Sequence, residues 1–167
     1  MPYEKLRTEL LDVRVAREQR RMQTSSYLDQ TLVQLSLNIP GSDKVPPGAE
    51  RLFGWGLRQV LELLPLVESC SHGNDLLGPW TLLGTRQEAR LMKQQVIDLE
   101  VSTPAGRLLD IDVYDRHGLQ LGRSELGLSP RTCLLCDRPA VDCIRQHAHS
   151  PDELKARIDE LLSSFRP

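Results

Sequence analysis

A chain of 167 residues is the length of one domain, and 40% hydrophobic, 26% charged and 4% aromatic residues describe an ordinary globular composition. A net charge of -2 gives no overall attraction for nucleic acid, and so few aromatics offer no base-stacking platform, which excludes nucleic-acid binding as the leading function. The opening MPYEKLRTELLD lacks a secretory apolar core, and no apolar run approaches the roughly 18 residues of a membrane span; we expect a cytoplasmic protein with reduced thiols, one domain over residues 1–167 and no membrane contact.

Leu6, Leu10 and Val13 recur at helical spacing and predict an N-terminal helix, followed by the basic run Arg14, Arg17, Arg20 and Arg21. Residues 31–39 (TLVQLSLNI) alternate apolar and polar positions as a strand does, and Pro40-Gly41 ends it. The loop over 40–48 contains Gly41-Ser42-Asp43-Lys44, a weak phosphate-contact motif that a plain surface turn would equally produce. Ala49, Leu52, Phe53, Leu57, Val60, Leu61 and Leu64 predict a core helix stopping before Pro65.

Residues 69–78 read as a loop in which Cys70 is a lone small hydrophobe, and 80–83 as a short strand. Thr85 and Glu88 match a capping box for a short helix through about Lys93. Residues 96–101 and 108–113 both alternate, and the turn-rich TPAG between them predicts a β-hairpin. On that hairpin Asp98, Glu100, Asp110 and Asp112 would project from one side. A brief strand follows around 119–121. Near the C-terminus Ser150, Pro151 and Glu153 form a helix start, with Leu154, Ile158, Leu161, Leu162 and Phe165 as its apolar stripe. The fold class expected is α+β: a mainly antiparallel sheet with helices packed on one face, in a single domain.

Chemistry concentrates in residues 106–149. Two aspartates two apart on a strand bring their oxygens close enough to share a cation, and Mg²⁺ prefers such hard donors, often completed by substrate phosphates. The same pattern is also what a solvated strand face produces. A row of carboxylates on neighbouring strands repels itself unless a metal or a base neutralises it, which favours the first reading. Cys133 and Cys136 place two thiolates on one turn, and Cys143 with His149 could complete a tetrahedral zinc site; His147 competes with His149, and reduced structural cysteines are the plain alternative.

GRLLDIDVYDRHG and SPRTCLLCDRPAVDCIRQHAH together resemble the family of apo-citrate lyase phosphoribosyl-dephospho-CoA transferases (CitX, the holo-acyl-carrier-protein synthases of citrate lyase). Further likeness runs through residues 11–20 and 40–53, and the segment 69–93 is the least similar. The resemblance implies a nucleotidyl-type transfer by a single transferase domain. The 2'-(5''-phosphoribosyl)-3'-dephospho-CoA group would pass from its triphosphate precursor to a serine of the citrate lyase acyl carrier protein, with release of diphosphate. It implies Asp110 and Asp112 as Mg²⁺ ligands with Glu100 as third ligand or base, and Arg14, Arg17, Lys44, Arg107, Arg131 and Arg145 as candidates for the phosphates. Zinc at Cys133, Cys136, Cys143 and His149 would then brace the arginines on either side of it. Two other readings stand beside this one: the equivalent transferase for the malonate decarboxylase carrier, and a non-enzymatic zinc-stabilised interaction module.

Overall fold

The computed structural model describes residues 2–27 and 29–167. Helix α1 (Pro2–Tyr27) leads into β1 (Thr31–Leu37), α2 (Ala49–Leu63), the hairpin β2 (Ser69–Asp75) and β3 (Gly78–Thr85), and α3 (Ala89–Val101). A 3-10 turn (Pro104–Leu108) then feeds β4 (Leu109–Tyr114), the two-residue β5 (Gln120–Leu121), α4 (Ala140–Gln146) and α5 (Pro151–Ser164). The strands form one antiparallel sheet in the order β2-β3-β1-β4-β5, so the α+β expectation holds.

Alternation along the central strands sorts their side chains onto two faces. Val33, Leu35 and Leu37 of β1 lie in register with Val113, Ile111 and Leu109 of β4. All six are buried in the main core with α2, α3 and α5. The helices reach it through apolar stripes: Leu52, Phe53 and Val60 from α2, Met92 and Val96 from α3, and Ile158, Leu161 and Leu162 from α5. α2 comes close enough that a Cβ on Gly56 would lie 2.8 Å from Leu109 Cδ1. The expected capping box of α5 is formed, Ser150 Oγ accepting from Glu153 N–H while the Glu153 carboxylate accepts from Ser150 N–H.

The other face carries a smaller cluster of Leu32, Trp80, Leu82 and Tyr114. α1 crosses it with its arginines rather than with an apolar stripe. The Arg21 guanidinium lies 4.0 Å from the Tyr114 ring centre, and those of Arg17 and Arg20 lie 5.9 and 5.5 Å from the Trp80 ring. No described helix is long and apolar enough to cross a membrane.

Three expectations for the middle of the chain are corrected. Residues 96–101 are not a strand but the last turns of α3. Ala89, Met92, Lys93, Val96, Ile97, Leu99 and Glu100 are its buried positions, a helical repeat of which six alternating residues are only the tail. Asp98 and Glu100, two apart on a helix, therefore point in different directions and do not form a carboxylate row with β4. The cap of α3 shifts with it: Glu88 is itself the N-cap, its side chain accepting from Arg90 and Leu91 N–H, while Thr85 closes β3. Residues 69–75 are a strand rather than a loop, paired along their length with β3. The side chain of Cys70 lies outside the described residues.

Candidate active site

Strand β4 projects Asp110 and Asp112 from the face opposite the main core, directly across from Ser36 and Gln34 of β1. Asp112 accepts a 2.8 Å hydrogen bond from Gln120 Nε2. Burial, and then the neighbouring Asp110 charge, push its carboxyl up to about 6. The pair thus carries negative charge that the protein does not fully compensate, on hard oxygen donors.

On one side of Asp110, α1 and β1 enclose a cleft of about 180 Å³ lined by Arg14, Arg17, Gln34, Ser36, Lys44 and Asp110 among others. The expected phosphate contacts divide here. Arg17 is committed to structure: its guanidinium donates to both Asp75 oxygens at 2.8 and 2.6 Å and to the Gly78 carbonyl at 2.8 Å. Lys44 donates to the Ile39 carbonyl at 2.8 Å, and its ammonium is held below its ordinary pKa by burial and by the Arg14 charge. Two crowded cations therefore face the cleft beside Asp110.

On the other side lies the edge of β4 that the short β5 leaves unpaired, and α3 satisfies it with two buried charged residues. Lys93, 6% exposed, donates to the Ile111 carbonyl at 2.9 Å. Glu100, 2% exposed, accepts from Ile111 N–H at 3.2 Å. The end of α3 is drawn in closely: a Cβ on Gly106 would meet the Glu100 carbonyl oxygen at 2.8 Å, so this contact requires glycine. Burial raises the Glu100 carboxyl, with Arg131, Lys93 and Ile111 N–H opposing. Arg131 lies 2.5 Å from one Glu100 oxygen and 3.4 Å from Asp110, and Arg123 lies 3.4 Å from the other Glu100 oxygen. Arg107 donates to the hydroxyl and carbonyl of Thr132, and burial and the charges of Arg131 and Arg123 hold its pKa below the ordinary value.

Arg131 and Thr132 open the cysteine segment. A bridge between Thr132 and Pro139, with Ala140 N–H donating to the Arg131 carbonyl at 2.8 Å, closes its base. Within it the ligating atoms of Cys133, Cys136, Cys143 and His149 all lie within 4.8 Å of one another, so this Cys3His group could hold a metal ion. His149 is the histidine that joins, its Nε2 3.4 Å from Cys136 Sγ. His147 instead ends α4 at a positive φ of 48°. Arg145 stays exposed on α4, 3.8 Å from Asp142.

The structure thus gathers Asp110, Asp112, Glu100, Arg107 and Arg131 around one end of β4, places Arg14 and Lys44 across the cleft, ties Arg17 to the β2–β3 hairpin and leaves Arg145 outside. Sequence reasoning does not single out Lys93, Gln120 or Arg123 as site residues. A lysine among the buried positions of an amphipathic helix is the one legible signal.

Residues 6–165 match the family described as apo-citrate lyase phosphoribosyl-dephospho-CoA transferase. Named relatives include the "Probable apo-citrate lyase phosphoribosyl-dephospho-CoA transferase" of Vibrio cholerae O395, 31% identical over 80% of this chain and 78% of that protein. The "Apo-citrate lyase phosphoribosyl-dephospho-CoA transferase" of Escherichia coli O1:K1 is 32% identical over 89% of this chain and 85% of that protein. The "Protein CitXG" of Leuconostoc mesenteroides subsp. cremoris is 34% identical over 94% of this chain, which spans only 35% of that longer protein. The chain belongs to the apo-citrate lyase phosphoribosyl-dephospho-CoA transferase family.

Proposed function

We propose that this chain is a cytoplasmic transferase, acting as a single domain, that attaches the 2'-(5''-phosphoribosyl)-3'-dephospho-CoA group to a serine of the citrate lyase acyl carrier protein. The observation that carries the reading is the Asp110–Asp112 pair between two banks of cations, in a chain whose family match covers residues 6–165. In the reaction the serine oxygen forms a bond to the α-phosphorus of the triphosphate precursor. The bond from that phosphorus to the bridging oxygen breaks, and diphosphate leaves with the electron pair. The hydroxyl proton leaves to solvent as the new phosphorus–oxygen bond forms, since Asp112 is committed to the cation with Asp110.

The donor set fits Mg²⁺: two carboxylates on one face, one of them made hard to ionise by burial and by the charge of its neighbour. Asp110 and Asp112 would hold the magnesium, which would supply charge neutralisation to the phosphates. Arg14 and Lys44 bind phosphate from the cleft, and Arg131 from the opposite side, where guanidinium forks match phosphate oxygens. Glu100 holds Arg131 in place from behind rather than facing the substrate, since its oxygens already receive Arg131, Arg123 and Ile111 N–H. Three sulfurs and one imidazole nitrogen suit tetrahedral zinc, which at Cys133, Cys136, Cys143 and His149 staples the loop that carries Arg131.

Mass spectrometry of apo-carriers incubated with the protein, precursor and Mg²⁺ tests the reading. The expected result is a gain on the citrate lyase carrier equal to the phosphoribosyl-dephospho-CoA group. A gain on the malonate decarboxylase carrier alone would reassign the acceptor, and no gain on either would overturn the transferase reading.

A further inference from the structure

Three arginines converge at the open edge of β4 from three separate segments: Arg107 from the 3-10 turn, Arg123 from the loop after β5, and Arg131 from the base of the cysteine segment. Only two of them, Arg123 and Arg131, reach the single buried carboxylate there. Glu100 pairs with Arg131 at 2.5 Å and Arg123 at 3.4 Å, and Arg107, held by Thr132, has no carboxylate within ion-pair distance among the described residues. Arg131 reaches Asp110 as well, but Asp110 faces the cleft and the proposed cation. Partly buried guanidiniums that outnumber their counter-ions call for an anion, since like charges are weakly screened away from water.

We propose that Arg107, Arg123 and Arg131 form a diphosphate subsite, which takes the β- and γ-phosphates of the precursor and holds the diphosphate after the α-phosphorus is attacked. The inference rests on the transferase reading above. In-line displacement puts the leaving group opposite the incoming hydroxyl, so a phosphorus centred on Asp110 and Asp112 needs a cationic bank on the side of departure. The edge cluster supplies three forks there, while among the described residues the cleft opposite offers Arg14 and Lys44 beside Asp110, its Arg17 being tied to Asp75 and Gly78. A terminal diphosphate bears more charge than the doubly esterified diphosphate inside dephospho-CoA and can accept more than one bidentate guanidinium.

Calorimetric titration with inorganic pyrophosphate and, separately, with dephospho-CoA distinguishes the two sources of the same chemistry. Arg123 lies on a partly exposed loop, so Arg123→Ala should keep the thermal transition of the parent protein, and Arg107→Ala provides a second variant. In Mg²⁺ buffer, each should weaken pyrophosphate by about tenfold or more and leave dephospho-CoA within about twofold. Loss of dephospho-CoA affinity with pyrophosphate unchanged, or no change for either ligand in both variants, would overturn the assignment. Should the variants lose pyrophosphate while the parent protein modifies no carrier, the subsite stands and the transferase reading fails.

Discussion

Replacing Asp112 with asparagine should stabilise the metal-free fold at neutral pH while removing the function. The carboxyl is raised from 3.8 to about 6, first by burial and then by Asp110. At about 1.4 kcal/mol for each pH unit, ionising Asp112 inside the fold costs ~3 kcal/mol more than in the unfolded chain. Partial access to water reduces the expected effect to about 1–2 kcal/mol. Below the unfolded value the group is protonated in both states and nothing is lost. Between about pH 4 and 6 the unfolded chain gives up its proton first, so stability falls as pH rises and then stays low. The asparagine side chain keeps an oxygen for Gln120 Nε2 and never ionises. Thermal unfolding in chelator should therefore show the variant equal to the parent at pH 4 and higher by roughly 2–8 °C at pH 8 for a chain of this size. Added Mg²⁺ should raise the parent and leave the variant unmoved. An Asp112→Asn protein that is less stable than the parent at pH 8 in chelator would refute the reasoning.

Transfer activity should rise with pH through about 6, because protonated Asp112 does not bind a cation, and saturating Mg²⁺ should move that limb to lower pH by competing with the proton. A flat profile between pH 5 and 7 would separate Asp112 from the chemistry. Gly56→Ala gains up to ~1 kcal/mol of helix propensity, but its Cβ would lie 2.8 Å from the fully buried Leu109; overpacking of ~1–3 kcal/mol should win and lower the urea midpoint. A raised midpoint would show that the α2–β4 contact can yield. Metal analysis of purified protein should find about one zinc per chain, lost in Cys143→Ser. Protein without zinc that retains full transfer activity would remove the stapling role.

The outer frame of this fold is legible because its signals are long or redundant. The apolar stripe of α2 runs for four turns, and the cap, proline and capping box of α5 agree with one another. β4 is legible because one of its faces is uniformly apolar and fully buried. Residues 96–101 mislead because Ile97, Leu99 and Val101 alternate over a window too short to separate a period of 2 from one of 3.6, and because a glutamate counts as solvent-facing in any polarity pattern. Glu100 is instead among the most buried side chains, tolerated there by Arg131, Arg123 and a backbone N–H that the sequence cannot show converging. β2 is silent for the opposite reason. It is an edge strand reading Ser-Cys-Ser-His-Gly-Asn-Asp, with no apolar alternation to announce it, and it is defined by pairing with β3 and by Gly73 giving room to the Trp80 ring. The metal-ligand spacing is legible from residues 133–149. That the same segment delivers Arg131 to Glu100 and Asp110 is a tertiary fact.

The most direct test of the Asp110–Asp112 face as the transfer centre is the intact mass of the citrate lyase apo-carrier after incubation with precursor, Mg²⁺ and either the parent protein or Asp110→Asn. Asp110 is partly exposed on a strand whose opposite face builds the core, so the variant should fold. The expected result is full modification by the parent and a rate at least about 100-fold slower with Asp110→Asn. Modification by the folded variant at a near-parental rate would contradict the assignment of the site to this face.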